Sequence, residues 1–238
     1  MKKDDCAPSY KRHRFPPEII AHAVWLYFRF ALSYRDVEEL LAERGVIVTY
    51  ETMRQWCRKF GQVYAHGLRR RRPRPGDKWH LDEVFIAING ATHYLWRAVD
   101  QDGNVLDILV QSRRNKQAAR KFFRRLLKGL AYVPRVLITD KLASYSAAAR
   151  DVLPGVAHRR HKGLNNRAEN AHQPTRERER RMRRFKSPGH AQRFLAAYGP
   201  IAGHFRPRRH RLSAPDYRQT RDQRFATWRV VTGTPAMA

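Results

Sequence analysis

The spacing of apolar positions changes twice along this chain of 238 residues. From Pro16 to Gly61 apolar residues recur every three or four positions, the mark of helices that bury one face. Pro16-Pro17-Glu18 opens the first helix, since proline suits a first turn, and Ile20, Val24, Tyr27 and Ala31 form its stripe. Ser33 is a good N-cap for the second, with Asp36 at the capping-box position. Val37, Leu40 and Leu41 supply its buried face, and Gly45 stops it. A third helix begins near Thr49 or Tyr50, buries Met53, Trp56, Cys57 and Phe60, and is expected to end at Gly61. From Lys78 the period becomes two. Residues 79–88 read as a strand, Asn89-Gly90 as a hairpin turn, 92–99 as a second strand, Asp102-Gly103 as another turn and 105–110 as a third strand. Helical spacing returns at 115–129 through Ala119, Phe122, Phe123, Leu126 and Leu127. Residues 136–139 are wholly apolar, as in a strand buried at the middle of a sheet. A helix or turn over 142–150, a weak strand near 156–161 and a long helix from about Asn165 follow. Pro174 is expected to end or kink that helix. Ser187-Pro188 opens a further helix with Phe194, Tyr198, Ile201 and Phe205 on one face.

A strand meander followed by alternating helices and strands predicts an α/β, ribonuclease-H-like fold: a mixed five-stranded sheet with helices, its first strand central and its fourth parallel beside the first. The three helices before it predict a small all-α helix-turn-helix domain. The expected organisation is a loose N-terminus at 1–15, the helix-turn-helix at 16–66, a basic linker at 67–77, the ribonuclease-H-like domain at 78–205 and an Arg-rich tail at 206–238.

Charge narrows the partners. Lys and Arg number 49 against 21 Asp and Glu, a formal net charge of +28. That imbalance calls for a polyanion, either nucleic acid or an anionic membrane surface. No apolar run reaches the roughly 20 residues that span a bilayer, and Met1-Lys-Lys-Asp-Asp-Cys6 has no signal-peptide core. The expectation is a cytoplasmic protein with no membrane partner. Cys6 and Cys57 are expected as free thiols, and no closely paired Cys/His spacing supports a zinc site. On the third helix Glu51, Arg54, Gln55, Arg58 and Lys59 fall on the exposed side, as a DNA recognition helix requires. A plain three-helix bundle with a charged outer face is the other reading. Arg69, Arg70, Arg71 and Arg72, followed closely by two prolines, read as a linker that contacts phosphates.

Against this basic background three acids stand out. Asp82 lies inside the apolar run Trp79-His-Leu-Asp-Glu-Val-Phe-Ile, Asp140 ends the strand Val136-Leu-Ile-Thr, and Glu169 follows Asn165-Asn166. A mid-strand Asp among apolar neighbours is costly unless liganded. Taken alone, Asp140 is readable as a helix cap and Glu169 as an acid favoured at a helix start. In the expected fold the first and fourth strands are neighbours, so Asp82 and Asp140 share the crevice where open α/β sheets bind ligands. Three carboxylates at one point suit two Mg²⁺ ions, or Mn²⁺, about 4 Å apart. Asp82 would bridge both ions, with Asp140 and Glu169 each holding one.

Trp79-His-Leu-Asp-Glu83, Tyr94-Leu-Trp-Arg-Ala-Val-Asp100, Ser112-Arg-Arg-Asn115, Thr139-Asp-Lys141 and Asn165-Asn-x-x-Glu169, together with Ser33 to Gly45, resemble the Asp-Asp-Glu transposases of bacterial insertion sequences, and among them insertion sequence family six. The resemblance runs over about residues 13–205. It implies a metal-dependent, nucleoid-associated enzyme that cuts element ends and joins the freed 3′-hydroxyl to target DNA. Its partners would be double-stranded DNA and further copies of itself, as a homodimer or larger. The stripe Phe194, Tyr198, Ile201, Phe205 is a candidate contact between copies, against packing within the subunit. The resemblance also adds Lys141 and Arg176, the latter a cation two turns after Glu169, to the DNA-binding set. One departure is that 28 residues (141–168) separate Asp140 from Glu169, fewer than the family's habit. Glu177 would lengthen that spacing, but Glu169 carries the Asn-Asn-x-x-Glu signature, and Glu177 sits among arginines. Two other functions fit the same pattern, a structure-selective Mg-dependent nuclease and a catalytically inactive DNA-binding relic.

Overall fold

The computed structural model describes residues 8–207 and 209–235. Cys6, the first seven residues of the stretch expected to be loose, and Arg208 and 236–238 of the expected tail lie outside them. The chain forms two compact units. One is α/β, from Pro73 to Leu195; the other is helical and draws on both ends of the chain, up to Arg72 and from Ala196 onward.

In the α/β unit, β1 (Lys78–Ile88), β2 (Ala91–Asp100) and β3 (Val105–Gln111) form an antiparallel meander. Asn89 and Gly90 both have positive φ, as the first tight turn requires. α4 (Lys116–Leu130) then leads to β4 (Val136–Thr139), α5 (Ala143–Val152) and β5 (Ala157–Arg160). The sheet order is β3-β2-β1-β4-β5, with β4 parallel to both β1 and β5. This is the ribonuclease-H-like arrangement the element order predicts. One sheet face, with Trp79, Leu81, Trp96 and Ala98, packs on Phe122, Phe123, Tyr145 and Ala148 of α4 and α5 in a single core. The other face receives α6 (Asn166–Arg181). Arg97 of β2 reaches across to donate to the Ala171 carbonyl and the Thr175 hydroxyl of that helix. The helix continues past Pro174 to Arg181, so the proline does not end it. Proline in a helix interior costs about 3 kcal/mol; burial of Ala168, His172, Thr175 and Arg178 on the opposing face holds the helix in register against it.

The helical unit contains α1 (Pro17–Arg29), α2 (Tyr34–Ala42) and α3 (Tyr50–Arg71), the C-terminal part of α7 (Pro188–His204), and α8 (Ala214–Thr232). The capping box of Ser33 and Asp36 forms as expected. Ala31 lies beyond the end of α1 and is exposed, and Leu40 is only half-buried. α3 does not stop at Gly61. A Cβ there would lie 2.8 Å from the Phe28 ring, and one at Gly67 would lie 2.8 Å from Val231. These glycines are notches for neighbouring side chains, so the helix continues and takes Arg69, Arg70 and Arg71 into its last turn. There cations suit the helix dipole, and the expected linker shrinks to the residues after Arg72. The expected tail is largely α8, capped by Ser213 and ended by left-handed Gly233. Its Trp228 stacks edge-on against Tyr64 of α3. Residues 8–15 are not loose either: Tyr10 stacks on Phe60 and donates to the Thr232 carbonyl at 2.6 Å. The stripe Phe194, Tyr198, Ile201, Phe205 is buried within the subunit, with Phe194 against Phe185 and Phe205 against Trp228. It is therefore not the contact between copies.

Candidate active site

β1 and β4 pair only from Lys78↔Val136 to His80↔Ile138. Beyond that point the two strands separate, and Asp82 on one and Asp140 just past the other flank the opening. Asn165 brings the third acid to the same place. Its buried side-chain amide donates to the Leu81 carbonyl at 2.9 Å, fixing the start of α6 one residue from Asp82. Glu169 then falls in the first turn of the helix. Asp82, Asp140 and Glu169 line one cavity of about 440 Å³, together with Arg114, Lys141 and Leu142. Glu177 is not among its lining residues.

The acids differ in setting. Asp140 accepts from the Leu142 amide at 3.0 Å through Oδ1, but Leu142 is itself the N-cap of α5 and the helix has no side-chain cap, so Asp140 does not act as its cap. Its Oδ2 remains 3.9 Å from Arg114 Nη2. Glu169 is exposed. Asp82 is buried, and its carboxyl is pushed up to about 7, first by burial and then by the charges of Glu83, Asp140 and Glu169. Behind it, on the same face of α6 as Glu169, His172 Nε2 lies 3.4 Å from Asp82 Oδ2, and neither ring nitrogen makes a hydrogen bond. Burial, then the Arg97 and Arg176 cations, hold this histidine well below its ordinary pKa, so it faces Asp82 as a neutral ring.

Sequence reasoning overlooked Glu83. It precedes Val84 on the core-facing side of β1, yet single oxygens of Asp82, Glu83 and Asp140 all lie within 4.8 Å of one another. Arg114 donates from Nε to Glu83 Oε1 at 2.6 Å. His172 was also overlooked, although its position three residues after Glu169 places it on the same helix face.

The donor set is carboxylate oxygen throughout, which suits a hard divalent cation such as Mg²⁺ or Mn²⁺. The raised carboxyl of Asp82 supports the fit, because positive charge brought to this buried acid favours its ionised form.

A family profile described as a DDE domain matches residues 76–207. The transposase for insertion sequence-like element IS431mec of Staphylococcus aureus is 33% identical over 168 residues, covering 68% of this chain and 75% of that protein. The transposase of IS257 in transposon Tn4003, also from Staphylococcus aureus, matches at the same identity and coverage. The chain belongs to the DDE transposase family. An uncharacterized protein of Yersinia pseudotuberculosis is 42% identical over 72 residues, 29% of the transposase and 67% of that protein. Among solved structures, the catalytic core domain of BIV integrase is 14% identical with a TM-score of 0.36, covering 64% of the transposase and 99% of that chain. At that level the likeness adds nothing to the strand order already described.

The basic residues of the transposase are placed unevenly. Arg54, Gln55, Arg58 and Lys59 are exposed on α3, but Arg54 is already held by Glu51 through Nε at 2.8 Å and Nη2 at 2.7 Å. Lys59 Nζ lies 2.7 Å from His13 Nε2. Arg69 is half-buried and donates to the Ala196 carbonyl, which braces the helical unit. Arg70, Arg71, Lys141 and Arg176 are exposed, and Arg72 is half-exposed. No helix among the described residues is long and apolar enough to cross a membrane.

Proposed function

We propose that Asp82, Asp140 and Glu169 are the metal-holding acids of this DNA transposase, and that it cuts element ends and joins them to target DNA. The observation that carries this reading is the convergence of three acids, from two strands and a helix distant in sequence, on one cavity. Two divalent ions, Mg²⁺ or Mn²⁺, would be held there, activating the attacking oxygen and stabilising the leaving one. Asp82, Asp140 and Glu169, which line that cavity, would hold these ions. In cleavage a water oxygen bonds to phosphorus as the bond from phosphorus to the 3′-oxygen breaks, and that oxygen leaves with a proton. In joining, the freed 3′-hydroxyl attacks a target phosphodiester in the same way. Lys141, at the cavity rim, and Arg176, two turns beyond Glu169, would neutralise strand phosphates. Exposed Gln55 and Arg58 on α3 would read base edges of the element end. Joining two ends to one target calls for at least two copies acting together, on the nucleoid in the cytoplasm.

The test is Mg²⁺-dependent cleavage and strand transfer on an end-bearing duplex. Asp82→Asn, Asp140→Asn and Glu169→Gln should each lose both activities while duplex affinity stays within about twofold. Glu177→Gln should keep them. Activity of Glu169→Gln with loss in Glu177→Gln would reassign the third acid. Cleavage without joining by the wild type would favour a nuclease.

A further inference from the structure

We propose that Arg114 is a further catalytic residue, a clamp on the non-bridging oxygens of the phosphodiester under attack, and that buried Glu83 positions it. The inference rests on the assignment of Asp82, Asp140 and Glu169 above.

The Glu83 side chain is 2% exposed, and that of Arg114 is 33% exposed. A carboxylate buried in a sheet core is a standing cost, and an apolar pair of similar volume would usually serve packing as well or better. What the ion pair does here is geometric. It fastens the Nε edge of the guanidinium at 2.6 Å, and Arg114 lines the same cavity as the three acids. Nη2 stands 3.9 Å from Asp140 Oδ2, too far for a hydrogen bond. The backbone carrying Arg114 is fixed on both sides. Asn115 caps α4 by accepting from the Ala118 amide at 2.9 Å, and Gln111 donates to the Ala118 carbonyl at 2.9 Å. Phe85 of β1 flanks the guanidinium, its ring centre 5.8 Å from Cζ.

A guanidinium fixed at one edge and open at the other matches a phosphate's paired oxygens. With divalent cations held by the acids, Asp140 would no longer draw Nη2, and the oxyanion of the bound strand would be its natural partner. Charge spreads over those equatorial oxygens during transfer, so a fixed cation there stabilises the transition state without giving up a proton.

Full-length Arg114→Ala, Arg114→Lys and Glu83→Gln are to be compared with wild type in strand transfer from an end-bearing duplex, with melting temperature and duplex Kd measured alongside. Arg114→Ala should slow transfer by about 10²–10³-fold. Arg114→Lys should recover little of this, because a point charge cannot form the fork. Glu83→Gln should fall between, and Kd should stay within about twofold throughout. Added methylguanidine should restore part of the Arg114→Ala rate in a saturable way. Any folded Arg114 variant that transfers at the wild-type rate overturns the proposal, as does full recovery by lysine. Should Arg114→Ala fail to fold, Arg114→Lys and Arg114→Gln are judged by the same criteria. Asp82→Ala separates the two levels: if it also transfers, the acid assignment fails, whereas a dead Asp82→Ala beside active Arg114 variants sinks the clamp alone.

Discussion

Asp82 carries an energetic conflict that the rest of the site must resolve. Its folded pKa of about 7 lies above the ordinary 3.8. Between those values the folded chain holds a proton that the unfolded chain has lost, so stability without divalent cations falls as pH rises through that window. A bound cation removes the conflict by favouring the ionised form. The gain in Tm on adding Mg²⁺ should therefore be small near pH 5 and larger near pH 8, and Asp82→Asn should flatten that difference. Thermal melts at both pH values check this; a gain that is larger at the lower pH would contradict it. The acids were legible in the sequence because each broke its local pattern: a charge in an apolar strand, an acid at a strand end, an acid after paired asparagines. Glu83 was hidden because alternation sends neighbours in a strand to opposite faces. Only the early parting of β1 and β4 lets Asp140 approach both faces. The role of Asn165 was hidden for another reason, since a side-chain bond to a backbone carbonyl leaves no periodic trace.

At the scale of elements, the face of α3 that is proposed to meet DNA has its cations held in check. Glu51 and Arg54 are one turn apart and locked in a two-pronged pair, with Gln55 Nε2 also 3.4 Å from Glu51. Two of the side chains suited to base edges are thus tied to an acid that repels phosphate. Glu51→Ala should tighten binding to any duplex by a few-fold at low salt and lower the preference for element ends. Fluorescence anisotropy with end-bearing and random duplexes measures both, and weaker binding by this variant would remove the checking role. The sheet and the first two helices were legible because period and caps agreed. α3 was cut short because a glycine reads as a stop, whereas Gly61 and Gly67 serve close approach. α8 was missed because its apolar contacts, Phe225, Trp228 and Val231, are sparse among arginines, so composition outweighed spacing.

Over the whole molecule, an excess of 28 positive charges would make counterion release the main source of affinity in the proposed DNA complex. Each neutralised phosphate contributes about −0.9 to the slope of log affinity against log salt on duplex DNA. A footprint of several arginines should give a slope on the order of −6 or steeper. Arg58→Ala or Arg71→Ala should each flatten it by about 1. Arg69→Ala should instead lower Tm, because its guanidinium holds the Ala196 carbonyl. A shallow slope in salt titrations would refute the electrostatic account.

The closure of α3 by α8 also sets a clock on synthesis. α3 is complete at Arg71 and α8 begins at Ala214. At about 5–20 residues per second, the ribosome needs about 7–28 seconds to add what lies between. Until then the Gly67 notch lacks Val231 and the Tyr64 ring lacks Trp228. The unit that would read element ends is thus finished only after the catalytic sheet has been made. Nascent chains arrested near residue 200 should leave α3 open to protease and hold element ends weakly, while chains extended past Thr232 should be protected and bind. Equal protection of the two would show that α1 to α3 stand without their last helix.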